Sequence, residues 1–176
     1  MKILVSACLL GLPCRYDGRS VPNDAVIALG KEHVLVPFCP EIYGGLATPR
    51  EPAEIQNDRI VTRSGADVTE AYRKGADEAL RVARLLGCSC AVLQDRSPSC
   101  GSGVRYDGTF TGTLTDGDGL TASLLKENHI QVIRASQVSQ TFLCCPCSAK
   151  CHKHGRCDEC RAHHAGRKNP PFCERC

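Results

Sequence analysis

The sequence predicts an α/β protein: a parallel, Rossmann-like sheet sandwiched between helices, followed by a small cysteine-rich, metal-binding C-terminal module. Three observations carry this. Short apolar runs alternate with helical patterns in the order strand, helix, strand, helix, strand, helix, strand, which is the order of a parallel sheet with crossover helices. Eight of the 14 cysteines and four of the six histidines fall within residues 144–176. Charge divides at the same place: residues 144–176 hold seven Lys/Arg against three Asp/Glu (+4), and residues 1–143 hold 15 against 16 (−1), together the +3 of the chain. The expected boundary is therefore near Leu143, giving an α/β domain over 1–143 and a Cys/His-rich basic tail over 144–176.

Residues 2–8 (KILVSAC) form an unbroken apolar run closed by Gly11 and Pro13, the pattern of a strand buried on both faces. Asn23 or Asp24 can cap a short helix that runs to about Lys31. Residues 33–38 (HVLVPF) read as a second strand, with Pro37 confined to its end. A short extra strand is expected at 59–62. Asp67 can cap a long helix over 68–86, with Ala71, Ala79, Val82, Ala83 and Leu86 at helical spacing and Gly87 beyond its end. Residues 89–94 (SCAVLQ) give a third buried strand. Residues 104–113 suggest a hairpin turning at Asp107-Gly108. A helix over 120–127 and a fourth strand over 130–134 complete the domain.

Composition excludes several classes. Apolar residues are 42% and charged residues 23% of the chain, which is globular rather than disordered or collagen-like. No apolar run approaches the roughly 20 residues of a membrane span, so no membrane partner is expected. The N-terminal run reads as a first strand rather than a signal peptide. Fourteen cysteines without an export signal point to a reducing cytoplasm and to thiols used for metal or chemistry.

In parallel α/β sheets, ligands bind beyond the carboxyl ends of the strands. Cys8 ends the first predicted strand, Cys39 follows the second, and Cys100 lies beyond the third in SPSCG. Three cysteines distant in sequence thus reach one sheet edge and can share one site. Cys88 and Cys90 fall at the opposite end of the third strand, as core residues.

Four segments in series, SACLLGLPCRYDG (6–18), FCPEIYGGLATPREPAEI (38–55), DVTEAYRKGA (67–76) and SPSCGSGVRYDGTFTG (97–112), resemble the thiouracil desulfidase family over residues 1–135. The resemblance implies a [4Fe-4S] cluster held by Cys8, Cys39 and Cys100, with Cys14 a nearby bystander. It implies an acid/base pair of Glu41 and Ser97, with Ser99 as the substitute for Ser97. The implied activity is a non-redox desulfidase, an enzyme that cleaves the carbon–sulfur bond of a thiolated nucleobase such as thiouracil, free or in RNA. Three thiolates leave one iron with an open position, a Lewis acid for a soft thiocarbonyl sulfur. Glu41, two residues after Cys39, is placed to activate water or protonate a ring nitrogen. The alternative for Glu41 is a solvated loop residue, and for Ser97 a turn cap before Pro98. Arg50 either contacts substrate oxygens or bridges a carboxylate. Tyr16 either stacks on a substrate ring or edges the core.

In the tail, Cys157-x2-Cys160 and Cys173-x2-Cys176 have the spacing of a structural zinc site. Cys147, Cys151, His154 and His163 or His164 can complete a second. The tail has too few apolar residues for a core, so Zn2+ is the expected source of its order. Its Lys and Arg make RNA a candidate partner. Two other functions fit the composition: a non-catalytic zinc-binding interaction module, and a sulfur carrier with a persulfide on Cys39 or Cys100.

Overall fold

The structure is a computed structural model and describes residues 1–138. The proposed domain boundary and the tail residues Cys147, Cys151, His154, Cys157, Cys160, His163, Cys173 and Cys176 lie outside the described residues.

Four strands, β1 (Lys2–Ser6), β2 (Val34–Phe38), β5 (Cys90–Leu93) and β8 (Gln131–Arg134), form one parallel sheet in the order β2-β1-β5-β8. These are the four predicted sheet strands. Their side chains alternate between two cores. Ile3, Val5, Cys90, Val92 and Ile133 pack on one face with Val26 and Leu29. Leu4, Ala91 and Leu93 pack on the other with Ala79, Ala83, Ala122 and Leu125. Burial on both faces explains why β1 and β5 are unbroken apolar runs rather than alternating ones. Pro37 is tolerated because β2 is an edge strand.

Helix α1 (Asp24–Ala28) covers the first face. Its N-cap Asn23 accepts the Val26 N–H at 3.1 Å, and a 3-10 turn over Leu29–Lys31 extends it. Helices α3 (Thr69–Leu86) and α4 (Leu120–Glu127) cover the second. In α3 the buried Ala76, Ala79 and Ala83 form a smooth stripe that lets the helix lie close to the sheet. Gly87 ends it in the left-handed conformation at φ +67°. Asp67 acts one residue earlier than a cap: Val68 holds the N-cap position, while the Asp67 carboxylate accepts the Thr69 N–H at 2.9 Å and the Thr69 hydroxyl at 2.6 Å.

Four details differ from the sequence reading. The first strand stops at Ser6, and residues Ala7–Leu10 tighten into a 3-10 turn that carries Cys8. A short helix α2 (Pro40–Tyr43) follows β2 directly. The extra strand β4 (Arg59–Thr62) is half of an antiparallel hairpin whose other half is β3 (Ala53–Gln56). The hairpin near residue 104 pairs β6 (Val104–Tyr106) with β7 (Leu114–Asp116), and residues 107–113 form a long connection instead of a tight turn at Asp107-Gly108. The reason lies outside that hairpin: the Glu54 carboxylate of β3 accepts the N–H groups of Gly108 and Phe110 at 2.9 and 3.0 Å and pulls the loop onto β3. Among the described residues, no helix is long and apolar enough to cross a membrane.

Candidate active site

The carboxyl ends of β1, β2 and β5 open onto one cavity of about 840 Å³. Cys8 arrives on the turn after β1, Cys39 at the end of β2, and Cys100 on the loop after β5, and all three line the cavity. Cys14, Glu41, Arg50, Ser97 and Tyr16 line it as well. Cys88 and Cys90 are buried at the far end of β5 and do not.

Cys39 is the N-cap of α2, with Pro40 at the first helical position and Glu41 in the first turn. Pro fits there because its missing N–H has no helical partner to lose. The helix is held against α3 by two reciprocal close approaches. A Cβ on Gly75 would lie 2.0 Å from the Pro40 carbonyl oxygen, and one on Gly44 would lie 2.0 Å from that of Ala71. Only glycine allows backbones this near each other. The contact seats Tyr72, one turn before Gly75, beside Glu41.

Glu41 is thereby held on both oxygens. Oε2 accepts Arg50 Nε at 2.7 Å and pairs with Nη2 at 2.5 Å, and Oε1 accepts the Ser97 hydroxyl at 3.3 Å. Arg50 also donates to the Ala47 carbonyl at 3.1 Å, the Thr48 hydroxyl at 3.0 Å and the Cys14 carbonyl at 3.0 Å. Those partners occupy its five donors. Of the two roles open to Arg50, the structure shows the carboxylate bridge. Ser97 Oγ accepts the Ser99 and Cys100 N–H groups at 3.0 and 3.1 Å. With both lone pairs engaged, its proton has one destination, Glu41, so the hydroxyl that caps the turn is also the one bonded to the carboxylate. Ser99 does not line the cavity: it is fully buried, and its hydroxyl is bonded to Thr121 at 2.8 Å. Tyr16 is exposed at the cavity mouth, with the Arg15 guanidinium 5.7 Å from its ring centre.

The thiols are crowded. Cys14 touches both Cys39 and Cys8, and Cys39 Sγ lies 3.7 Å from the Cys14 carbonyl oxygen. Contact with the Cys14 side chain, then burial, pushes the Cys39 thiol far up. For Cys14 the Cys39 contact acts downward, but Cys8 and burial outweigh it and hold it at about 11. Burial lifts Cys100 to about 12 despite hydrogen bonds from Ser6 and Ser99. As bare groups these thiols are neutral at pH 7, and a metal centre is the usual means of ionising such a set. Among the described residues, no three His, Cys, Asp or Glu side chains are grouped for a single metal ion. The donor set itself, three soft thiols from three loops on one cavity, is the kind an iron–sulfur cluster takes.

Sequence reasoning missed Tyr72 and Glu54. Burial, and then the neighbouring Glu41 charge, push the Tyr72 hydroxyl well above its ordinary range. A signal was present: Gly75 inside a helical pattern marks a close approach, and Tyr72 stands three residues before it on the same face. Glu54 carried no comparable signal, because its partners are backbone groups more than 50 residues away.

The model of the 2-thiouracil desulfurase family matches residues 3–137. The uncharacterized protein YbbK of Bacillus subtilis (strain 168) is 44% identical over 147 residues, covering 78% of this chain and 97% of its own. Among solved structures, the [4Fe-4S]-dependent thiouracil desulfidase TudS superposes with a TM-score of 0.74 at 48% identity, covering 78% of this chain and 92% of that one.

Proposed function

The chain belongs to the 2-thiouracil desulfurase family, and from that premise we propose that it is a [4Fe-4S]-dependent desulfidase that converts a thiolated uracil to its oxygen form. In the net reaction a thiocarbonyl and water give a carbonyl and hydrogen sulfide, and no electrons pass between substrate and protein. Cys8, Cys39 and Cys100 hold the cluster; Glu41 and Ser97 handle protons. One observation supports this above the others: the three thiols and the Glu41–Ser97 pair border the same cavity.

When bound, the cluster supplies a soft Lewis acid for the sulfur that leaves. The protein supplies the rest. Arg50 fixes Oε2 of Glu41 through a charge-assisted pair, which leaves Oε1 as the oxygen that exchanges protons. Oε1 takes a proton from the attacking water or returns one to the ring nitrogen. The Ser97 hydroxyl donates to the same oxygen and stabilises the carboxylate before it takes the proton and after it gives the proton up. The cavity is larger than one pyrimidine, and Arg63, Arg96 and Arg134 line it. A base that still carries its sugar and phosphate therefore fits the reading as well as a free base does, and RNA is the largest substrate of that kind.

The test is anaerobic reconstitution of the full chain. A brown protein with about four iron and four acid-labile sulfide per chain, releasing sulfide and uracil from 2-thiouracil, supports the assignment. A colourless protein that binds only zinc after reconstitution would support a non-catalytic zinc module instead. Sulfur transfer without iron, through a trappable persulfide, would make it a carrier.

A further inference from the structure

Phe110 lines the cavity with φ at +58°, in the left-handed region that a phenylalanine enters only when its surroundings hold it there. The hold is explicit. The Glu54 carboxylate, 8% exposed, accepts the Phe110 and Gly108 N–H groups. Gln56 Nε2 donates to the Gly108 carbonyl at 2.5 Å. A Cβ on Gly108 would sit 2.6 Å from the Ile55 carbonyl oxygen, so the loop rests directly on β3. Placing a carboxylate in the interior is unfavourable unless it gains strong hydrogen bonds. Here those bonds serve to fix the backbone of one aromatic residue. Glycine would meet the same backbone need without strain, and the loop already uses it at 108 and 112. The phenylalanine is therefore present for its ring.

Five aromatic rings border the cavity: Tyr16, Phe38, Tyr72, Tyr106 and Phe110. Phe38 is stacked on Tyr43 with ring centres 4.3 Å apart, and Tyr72 is 2% exposed beside Glu41. Tyr16 is exposed, and the Arg15 guanidinium over its ring is itself paired with Asp17. Phe110 alone combines a half-buried ring, an imposed backbone and a cation over it, the Arg63 guanidinium 5.8 Å from its centre. The geometry points to Phe110 as the plate on which the substrate's planar heterocycle stacks, with Arg63 steadying the ring. This assignment rests on the reading of a thiolated pyrimidine as substrate. It makes Phe110 a specificity-determining residue, selecting a flat ring and holding its thiocarbonyl at the thiol end of the cavity.

The test uses the reconstituted full chain and the variants Phe110→Leu, Phe110→Tyr and Phe110→Gly. With 2-thiouracil, Phe110→Leu should raise KM about 10-fold, the scale of one base–aromatic stack, with kcat within about two-fold; Phe110→Tyr should restore KM. Phe110→Gly should raise KM as Leu does while melting no lower than wild type, because it relieves the strained φ. That variant separates loss of the ring from loss of the loop. An unchanged KM in Phe110→Leu overturns the assignment. Equilibrium dialysis of uracil and 5,6-dihydrouracil, which share a hydrogen-bonding edge but not a flat ring, reads the stack without turnover. Wild type should prefer uracil by about 10-fold, and Phe110→Leu should lose the preference. If wild type releases no sulfide from 2-thiouracil yet shows that preference through Phe110, the desulfidase reading fails and the plate stands. If neither protein prefers uracil, the plate is refuted whatever the turnover.

Discussion

Gly75→Ala tests the positioning of the candidate active site most sharply, because two effects oppose each other and their sizes decide the sign. In an exposed helix the change would stabilise by about 1 kcal/mol. At Gly75 the new methyl would meet backbone on arrival, 2.0 Å from the oxygen, 2.7 Å from the carbon and 3.3 Å from the Cα of Pro40. A carbon–oxygen contact settles near 3.3–3.6 Å, so α2 and α3 must part by more than about 1 Å. Backbone cannot swing aside as a side-chain tip can, and overpacking of this kind costs about 1–3 kcal/mol. The net destabilisation is up to about 2 kcal/mol, a fall of up to roughly 8 °C for a domain of this size. Function should suffer more. Pro40 sits between Cys39 and Glu41, so the displacement reaches a thiol and the carboxylate together, and a misplacement of about 1 Å costs on the order of 10²-fold in rate. Anaerobic sulfide release at 25 °C, iron content and a thermal melt measure all three quantities on one preparation. Asp77→Ala, on the exposed face of the same helix, controls for helix propensity. A Gly75→Ala protein that melts at or above wild type with undiminished turnover would refute the close approach and the positioning argument built on it.

Glu41→Gln should retain iron and slow sulfide release by about 10²–10⁴-fold, read by parallel iron and sulfide assays. Arg50→Ala leaves a largely buried carboxylate without its cation, since the two side chains are 9% and 13% exposed; a loss of about 3–5 kcal/mol in denaturant unfolding is expected. Arg50→Lys should not recover it, because one ammonium cannot reach the four acceptors that the guanidinium fork spans. Cys100→Ser should lose iron after reconstitution while Cys88→Ser keeps it, measured by iron per chain. A chain ending at Leu143 should fold, bind iron and turn over free 2-thiouracil; if the tail recruits RNA, turnover of thiolated RNA falls far more, and the gap closes as salt rises.

The sheet was readable because its signals are local. Buried parallel strands such as β1 and β5 announce themselves as apolar runs, and α4 matches its predicted span residue for residue. Strand ends fix where loops begin, so topology brought Cys8, Cys39 and Cys100 to one sheet edge, and the family resemblance singled them out as one set. What escaped depends on tertiary partners. Helix α2 has four residues, too few for any periodicity. The turn after β6 has the Asp-Gly of a tight hairpin, yet Glu54 claims its N–H groups from another sheet. The same applies to Arg50: sequence left its role open, and only the positions of Ala47, Thr48, Cys14 and Glu41 show that its donors are taken.

The spacing of the three cavity thiols along the chain also bears on how the protein is made. Cys100 follows Cys8 by 92 positions, and a ribosome adding roughly 5–20 residues per second needs about 5–18 s to cover them. Until residues 90–93 emerge, Cys8 and Cys39 stand on a two-stranded fragment that lacks its inner neighbour β5, and Cys100 follows that strand by seven residues. The last sheet strand, β8, leaves the ribosome later still, and the eight tail cysteines come after it. Under the proposed assignment, the three-thiol site is incomplete until Cys100 has left the ribosome, and a cluster donor must then approach the strand ends where the three thiols line the cavity.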